Sequence, residues 1–553
     1  MRICIVNQPV LAETFTALGH EVLDLRPGPG PQDLPVLLER EGFSPELILE
    51  TEHLGPRTIL LGLGRVDCAK LFWAVDVHLN AWWHRDYGRQ FDGVLCTQLP
   101  WTGRLQEMGL GNTAYLPWYG TKRPYRPWSE RDMDLCLVGR VTEHRPVRKR
   151  MVDYLRDTFG LVHLDGLNSQ EMLDAYDRAS LVPNESIFSE INFRLFEAAS
   201  CGCLVLNQEV EGGVGHLFAP GAEVAEFGDI LELDRLVRSM LAHPQQAERM
   251  GRAAWERVGR EHLPQHRALA ILKYAQAFAG AAPKGEEADA QAWLAMSRLT
   301  DTGMFEIPLQ VLGPALESRA GSVPTNFAAL ARCLSRFGER ESLAHMLRHE
   351  IEARRFADSF EVNLAASGAA LRLDDWDLAR TYWLRHQTAM DRHAPGSPDG
   401  PVALYLLWAG ECERFWTDFR PGYTFNREHT VPDSTMECLL MANELDPGNL
   451  DATRRMNAIA SRQSGVSDFR ISVLSLLTMN EPDNWRLGLD LGVINLRAMR
   501  LRQGLEELAV ARTTAVQLGM QARFDKLLAS RGSSERLVDM VRGMDLSGTE
   551  SGT

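Results

Sequence analysis

The stretch NFRLFEAASCGCLVLNQ, residues 192–208, reads as a short apolar helix, a glycine stop and a buried strand. The helix carries Arg194 in its first turn and Glu197 one turn later. A helix N-terminus offers unpaired N–H groups and about half a positive charge, which suits phosphate. An arginine there adds a bidentate phosphate donor, and a carboxylate one turn on can accept hydrogen bonds from sugar hydroxyls. One helix is thus equipped to hold a pyrophosphate and a ribose. The plainer reading is a solvated i,i+3 ion pair. A second constellation, Asp76-Val77-His78, follows the strand-like run LFWAV (71–75). In an extended chain these two side chains share one side, and a carboxylate with an imidazole can deprotonate a hydroxyl. The competing reading is an aspartate capping the next helix beside a surface histidine. His163 and Asp165 have the same spacing and fit a structural role.

The elements that must position these residues alternate along the chain. RICIV (2–6), EVLDL (21–25), ELILE (46–50), TILLG (58–62), LFWAV and GVLCT (93–97) are strand signals, mostly separated by helical or turn segments such as VLAETFTALG, which stops at Gly19. Continuous apolar strands alternating with helices indicate a parallel sheet covered on both faces. The stretch LPWYGTKRPYRPWSERD (116–132), rich in proline and tryptophan, reads as an interdomain linker. The alternation then restarts. DLCLVG (134–139) is a strand, 146–160 is a helix with Val147, Met151, Tyr154 and Leu155 on one face, LVHLDG (161–166) is a strand, and Asn168 with Glu171 forms a capping box. SLVPN (180–184) and LVLN (204–207) complete the set. In open sheets of this kind, ligands bind beyond the carboxyl ends of the strands, where the helix with Arg194 and Glu197 begins. PKGEEADA (283–290) reads as a polar linker, after which only helix signals follow to about residue 545. The D-P-G-N turn within 436–459 resembles a tetratricopeptide junction, although the period is poorly kept. The tail LSGTESGT is expected to be disordered.

Bulk properties narrow the function classes. The 553 residues carry a formal charge of −15, which argues against a general nucleic-acid binder. Nine cysteines, an odd number with no CxxC pair, read as reduced cytosolic thiols rather than a zinc site. No signal peptide and no membrane-length apolar run are evident, so a cytoplasmic protein without a transmembrane segment is expected. Several look-alikes fail. Gly62-Leu63-Gly64 starts a dinucleotide fingerprint, but Asp67 stands where its third glycine belongs. His84-Arg85-Asp86 lacks the other kinase motifs. Cys201 and Cys203 have no local histidine to activate them. Asp132-Met133-Asp134 opens a strand and reads as solvated charge. Trp73, Trp82 and Trp83 read as packing at least as well as a sugar-stacking surface.

The run FSEINFRLFEAASCGCLVLNQEVEGGVGHLFAPGAEVAEF (188–227) resembles the donor-binding domain of GT-B glycosyltransferases, and within them the spore-maturation CgeB-type branch with its R-x-F-E-A-x-A-C-G pattern. Arg194, Phe196, Glu197, Ala198, Cys201 and Gly202 occupy that pattern, with Ser200 where alanine is usual. LFAPGAEVAEF, LCLVGRVTEHRPVRKRMVDYL and the closing helices from HPQQAERMG onward extend the likeness; FWAVDVHLNAWWHRDYGRQFDGVLCTQ extends it more loosely into the first domain. The resemblance implies that Glu197 binds ribose hydroxyls, that Arg194 and the Gly139–Arg140 turn face the diphosphate, and that the turn bearing Gly212, Gly213 and Gly215 lets backbone amides approach the donor. It implies no cofactor and no bound metal, with arginine and helix-dipole charge at the leaving diphosphate. One departure stands out. Related retaining enzymes have a second glutamate eight residues before the ribose-binding one, and here that position is Ser189, with Glu190 one residue off.

The expectation is therefore an α/β chain of two Rossmann-like domains (GT-B) followed by an all-α, tetratricopeptide-like region. Its boundaries are 1–118 on the acceptor side, 119–282 for the nucleotide-sugar donor and 291–545 for the helical repeats. Asp76 and His78 are the candidate catalytic pair. Gly139, Arg140, Arg194, Glu197, Gly212, Gly213 and Gly215 are the candidate donor-binding residues. The expected function is transfer of a hexose-type sugar from a nucleotide diphosphate donor to a hydroxyl of a protein, glycan or lipid-linked acceptor, a protein acceptor being recruited by the helical repeats. The alternative is a catalytically degenerate nucleotide-sugar-binding scaffold that acts through those repeats.

Overall fold

The computed structural model describes residues 1–391, 396–531 and 537–544, so the tail LSGTESGT lies outside the described residues. The chain divides into two compact units, Met1–Pro117 with Ala268–Ile459, and Trp118–Arg267 with Ala460–Thr553.

The first unit is built on β1 (Arg2–Val6), β2 (Glu21–Leu25), β3 (Gly30–Asp33), β4 (Leu47–Thr51), β5 (Thr58–Leu61), β6 (Ala69–Ala74), β7 (Gly93–Cys96) and β8 (Thr113–Tyr115). Six of these form one parallel sheet in the order β2-β1-β4-β6-β7-β8. The run TILLG does become a strand, but β5 pairs with β3 in a separate two-stranded ribbon. The apolar runs make the inner strands buried on both faces, as parallel packing requires.

Helices from residue 286 onward cover part of this unit. PKGEEADA is only partly a linker: the helix Glu286–Asp301 already starts inside it, because Glu286, Glu287 and Asp289 in its first turn complement the helix dipole. Asp289 also accepts a hydrogen bond from the Gly62 amide at 2.6 Å. A side chain at Gly64 would meet the Gly285 carbonyl at 2.6 Å. The two glycines that mimic a dinucleotide fingerprint therefore serve close backbone packing. Farther along the helix, buried Arg298 pairs with Asp86, with Asp433 at 3.2 Å and with Glu361 at 3.3 Å. Arg332 joins the same network through Asp433 at 2.5 Å.

The second unit holds β9 (Met133–Val138), β10 (Val162–Leu164), β11 (Ala179–Asn184), β12 (Leu204–Gln208) and β13 (Ala225–Phe227), all parallel in the order β10-β9-β11-β12-β13. Local signals set its helices. Pro146–Phe159 ends on Gly160 in the left-handed region, and Ser169–Asp177 starts on the Asn168–Glu171 capping box. The proline-rich stretch is packed rather than free. Trp128 Nε1 donates to the Gly202 carbonyl at 3.1 Å, Arg131 to the Cys201 carbonyl at 2.7 Å, and Trp255 Nε1 to the Arg123 carbonyl at 2.9 Å. Ser200, the departure from alanine, accepts the Thr121 amide at 2.9 Å and so ties this strap to the helix Phe193–Ser200.

The chain's last helices belong to this unit as well. Trp485, Leu489, Leu496, Leu508, Phe524, Leu528, Leu537 and Val541 share one core with Leu135, Leu155, Leu233 and Val237. The helical stretch 291–545 is thus divided, with the helices up to Leu445 in the first unit and those from Ser467 in the second.

Candidate functional site

At the carboxyl ends of β9 and β11 the chain assembles a buried polar network around the helix Phe193–Ser200. Asn192 occupies that helix's N-cap position, but its side chain donates to the Glu185 carbonyl at 3.1 Å and leaves the first-turn amides uncapped. Arg194 is buried and donates to Asn184 Oδ1 at 2.9 Å and to the Val138 carbonyl at 3.2 Å. It is therefore no solvated surface pair with Glu197. Gly139 has φ +133°, and a Cβ there would lie 3.0 Å from Arg194 Nη2. The strand-end turn approaches the guanidinium this closely only because it is glycine. Asn184 Nδ2 continues the network to Asn207 Oδ1 at 2.8 Å, at the end of β12. Arg140 is exposed beside Gly139, and its carbonyl accepts from Arg148 Nη1 at 3.4 Å.

Glu197 stands one turn behind Arg194. Burial pushes its carboxyl up from 4.5 to about 7, and the Arg194 charge pulls only partly against this. It has no hydrogen-bond partner among the described residues. His163 Nε2 donates to the Gly139 carbonyl at 2.9 Å and Asp165 accepts from the Gly166 amide, so both are structural, as expected.

The glycine turn is tied to Ser189. Gly212 and Gly213 have φ of +80° and +64°, and the Glu211 amide donates to Ser189 Oγ at 2.8 Å. Phe188 and Ser189 are themselves left-handed, with φ of +50° and +64°. The residue that stands where the second family glutamate is expected is therefore spent on holding the glycine turn. A Cβ at Gly215 would meet Pro220 at 3.8 Å, whereas one at Gly213 would meet nothing within 4 Å. Beside these turns lies a cavity of about 710 Å³ whose lining includes Glu185, Ser189 and Glu211 but none of Gly139, Arg140, Arg194, Glu197, Gly212, Gly213 or Gly215.

In the first unit, Asp76 and His78 are not extended. The helix Val77–Tyr87 starts between them, with Asp76 at its N-cap position and His78 in its first turn. Asp76 makes no side-chain capping bond to that helix, and His78 is buried rather than at the surface. A carboxylate oxygen of Asp76 and a ring nitrogen of His78 nevertheless lie within 4.8 Å of one another. What fixes this turn is Glu52, which the sequence reading missed. Its Oε2 accepts the Val75 amide at 2.9 Å and the Asp76 amide at 2.8 Å, and its Oε1 accepts Asn80 Nδ2 at 2.6 Å. Burial would raise its carboxyl, but His84 at 3.2 Å and Arg57 at 3.4 Å hold it well below the usual range. The available signal was a charged residue at the carboxyl end of an apolar strand, in ELILETE.

The remaining look-alikes resolve as packing. Cys201 and Cys203 are fully buried, and burial pushes the Cys203 thiol up to about 12. Trp73, Trp82 and Trp83 are buried, with Trp83 in an aromatic cluster with Phe72 and Tyr87. Asp132 pairs with Arg178 at 2.6 Å.

No helix among the described residues is long and apolar enough to cross a membrane. Residues 125–273, roughly a quarter of the chain, match the family model described as Glycosyl transferase-like. No curated protein sequence matches the chain. Among solved structures, a sucrose-phosphate synthase from Thermosynechococcus elongatus is 12% identical over 50% of this chain and 99% of its own, with a TM-score of 0.37. The Anabaena HepE protein, solved in complex with UDP-glucose, is 11% identical over 50% of this chain and 100% of its own, with a TM-score of 0.35. A glycosyltransferase from Rickettsia africae is 9% identical over 50% and 98%, with a TM-score of 0.34. With a second sheet that lies within the matched segment, the chain has the α/β class read from its sequence: two Rossmann-like parallel sheets, then an all-helical region.

Proposed function

We propose that this protein is a cytoplasmic glycosyltransferase that moves a hexose-type sugar from a nucleotide diphosphate donor to an acceptor hydroxyl. Residues 119–282 form the donor domain and 1–118 the acceptor side. The observation that carries the reading is Glu197, a half-buried carboxyl without a hydrogen-bond partner among the described residues, one turn behind Arg194 at the strand ends. A carboxylate so placed gains acceptor bonds when ribose hydroxyls arrive. The uncapped first-turn amides of Phe193–Ser200 face the task of holding a phosphate. Arg194, fixed beneath Gly139, adds a positive charge that is already oriented before the leaving diphosphate forms. The Arg140 side chain and the turn of Gly212, Gly213 and Gly215 complete the donor cradle without a metal. Asp76 and His78 deprotonate the acceptor hydroxyl, with Glu52 fixing the turn that carries them. The helices after residue 291 select the acceptor, a protein among the candidates.

The test is a calorimetric panel of UDP, GDP, ADP, CMP and TDP on wild type and Glu197→Gln, followed by donor hydrolysis with the matching nucleotide sugar. One nucleotide binding wild type and losing most affinity in the variant is the expected result. No binding at millimolar nucleotide would overturn the donor site. Binding without sugar transfer to any acceptor would turn the reading toward a nucleotide-sugar-binding scaffold.

A further inference from the structure

The 710 Å³ cavity of the second unit has a composition that the donor reading does not use. One wall comes from the strand ends, with Glu185, Glu209 and Glu211; the other comes from the late helices, with Arg462, Asp468, Arg470 and Arg497, and Arg145 adds a further cation. Two of the four carboxylates are neutralised by arginines outside the lining. Glu185 is held by Arg148 at 2.9 Å, and Asp468 by Arg150 at 3.0 Å and Arg500 at 2.7 Å. Of the four lining arginines, Arg470 is itself paired with Asp490 at 3.9 Å. Arg145 and Arg497 are exposed and have no carboxylate partner among the described residues.

Two helices also begin at this cavity. Pro146–Phe159 has Arg145 at its N-cap and Ser467–Asn480 has Val466 there, and neither receives a side-chain cap. Uncapped first-turn amides are unsatisfied donors with a favourable field for an anion. Arginines and uncapped helix starts suit a phosphate, while the remaining carboxylates suit hydroxyls. The volume is in the range of small-molecule sites.

We propose that this cavity is a second ligand site, which takes a phosphorylated sugar and is separate from the nucleotide donor site. Its phosphate is held by Arg145, Arg497 and the helix starts, and its hydroxyls by Glu209 and Glu211. The site is wired to the donor rim. The Glu211 amide binds Ser189 Oγ, and Gly465 packs so tightly on Phe188 that a Cβ there would lie 2.6 Å from its ring. The turn Ile187–Ser189 is thus held from both walls of the cavity, and the helical region contributes directly to small-molecule binding.

The experiment is calorimetry with glucose 1-phosphate as probe on the full chain, at low salt, comparing wild type, Arg145→Ala/Arg497→Ala and Glu197→Gln. Wild type should bind. The double variant should lose about tenfold or more in affinity with an unchanged melting temperature, since both side chains are exposed. Glu197→Gln should bind the probe as wild type does, and saturating UDP should leave the probe's affinity measurable. Inorganic phosphate should bind more weakly than the probe, because it offers nothing to Glu209 and Glu211. The proposal is overturned if the probe does not bind at millimolar concentration, if the double variant binds it unchanged, or if UDP displaces it. Failure of the donor reading would show separately, as loss of UDP binding with probe binding kept.

Discussion

Glu197 gives the donor reading a pH signature. Its carboxyl titrates at about 7 in the folded protein against 4.5 ordinarily, because it is buried and Arg194 only partly compensates. If the carboxylate but not the acid accepts ribose hydroxyls, affinity tracks the ionised fraction. That fraction is about nine-tenths at pH 8 and about one-tenth at pH 6, so nucleotide affinity should drop about tenfold between them. Glu197→Gln cannot ionise, and its residual pH dependence reports the nucleotide's own phosphate alone. The assay is titration of wild type and variant with the best-binding nucleotide at pH 6, 7 and 8. The same carboxyl affects stability without ligand. The native state holds an extra proton between about pH 4.5 and about 7, so stability falls as pH rises through that window and is flat outside it. The cost above pH 7 is at most roughly 3 kcal/mol, and Glu197→Gln should remove it, melting no lower than wild type at pH 8. Equal pH slopes for wild type and variant, or undiminished nucleotide binding by Glu197→Gln at pH 8, would refute the reasoning.

Three further outcomes follow from the packing. Arg298→Met leaves Asp86, Asp433 and Glu361 facing one another with a cation removed, which should cost about 3–5 kcal/mol in urea unfolding; a loss below 1 kcal/mol would mean the network is solvated. Glu50, buried beneath Tyr87 Oη at 2.7 Å, is pushed by burial up to about 8. It keeps its proton in the native state between about pH 4.5 and 8, so stability should fall with rising pH across that range and flatten in Glu50→Gln. Eight of the nine cysteines are buried and Cys68 is half-buried. A thiol reagent at pH 8 should therefore label the native protein slowly, and all nine positions once it is unfolded in guanidinium; fast labelling of Cys201 or Cys203 would contradict their role as packing thiols.

Local chemistry wrote much of this protein into its sequence. The runs DLCLVG and SLVPN become β9 and β11 because apolar chain buried on both faces has few alternatives. Gly160 ends a helix because it tolerates a left-handed φ, and Asn168 with Glu171 starts one because both side chains reach orphan amides a few residues away. Arg194 and Glu197 were legible for the same reason, since helical spacing alone puts them a turn apart. Short or polar strands were not legible: β3 is GPQD and β8 is TAY, held only by their neighbours' hydrogen bonds. Nor was the direction of Arg194, which depends on carbonyls 56 and 10 residues away. The sequence left open whether Asp76–His78 is extended or starts a helix; the helix wins because Glu52, 24 residues earlier, captures the Asp76 amide. Tertiary structure alone decided that the last helices share a core with the second sheet and close a cavity over its strand ends. Spacing along a chain encodes which residues meet within one element; which elements meet is settled by the packing of apolar faces and buried charges far apart in sequence.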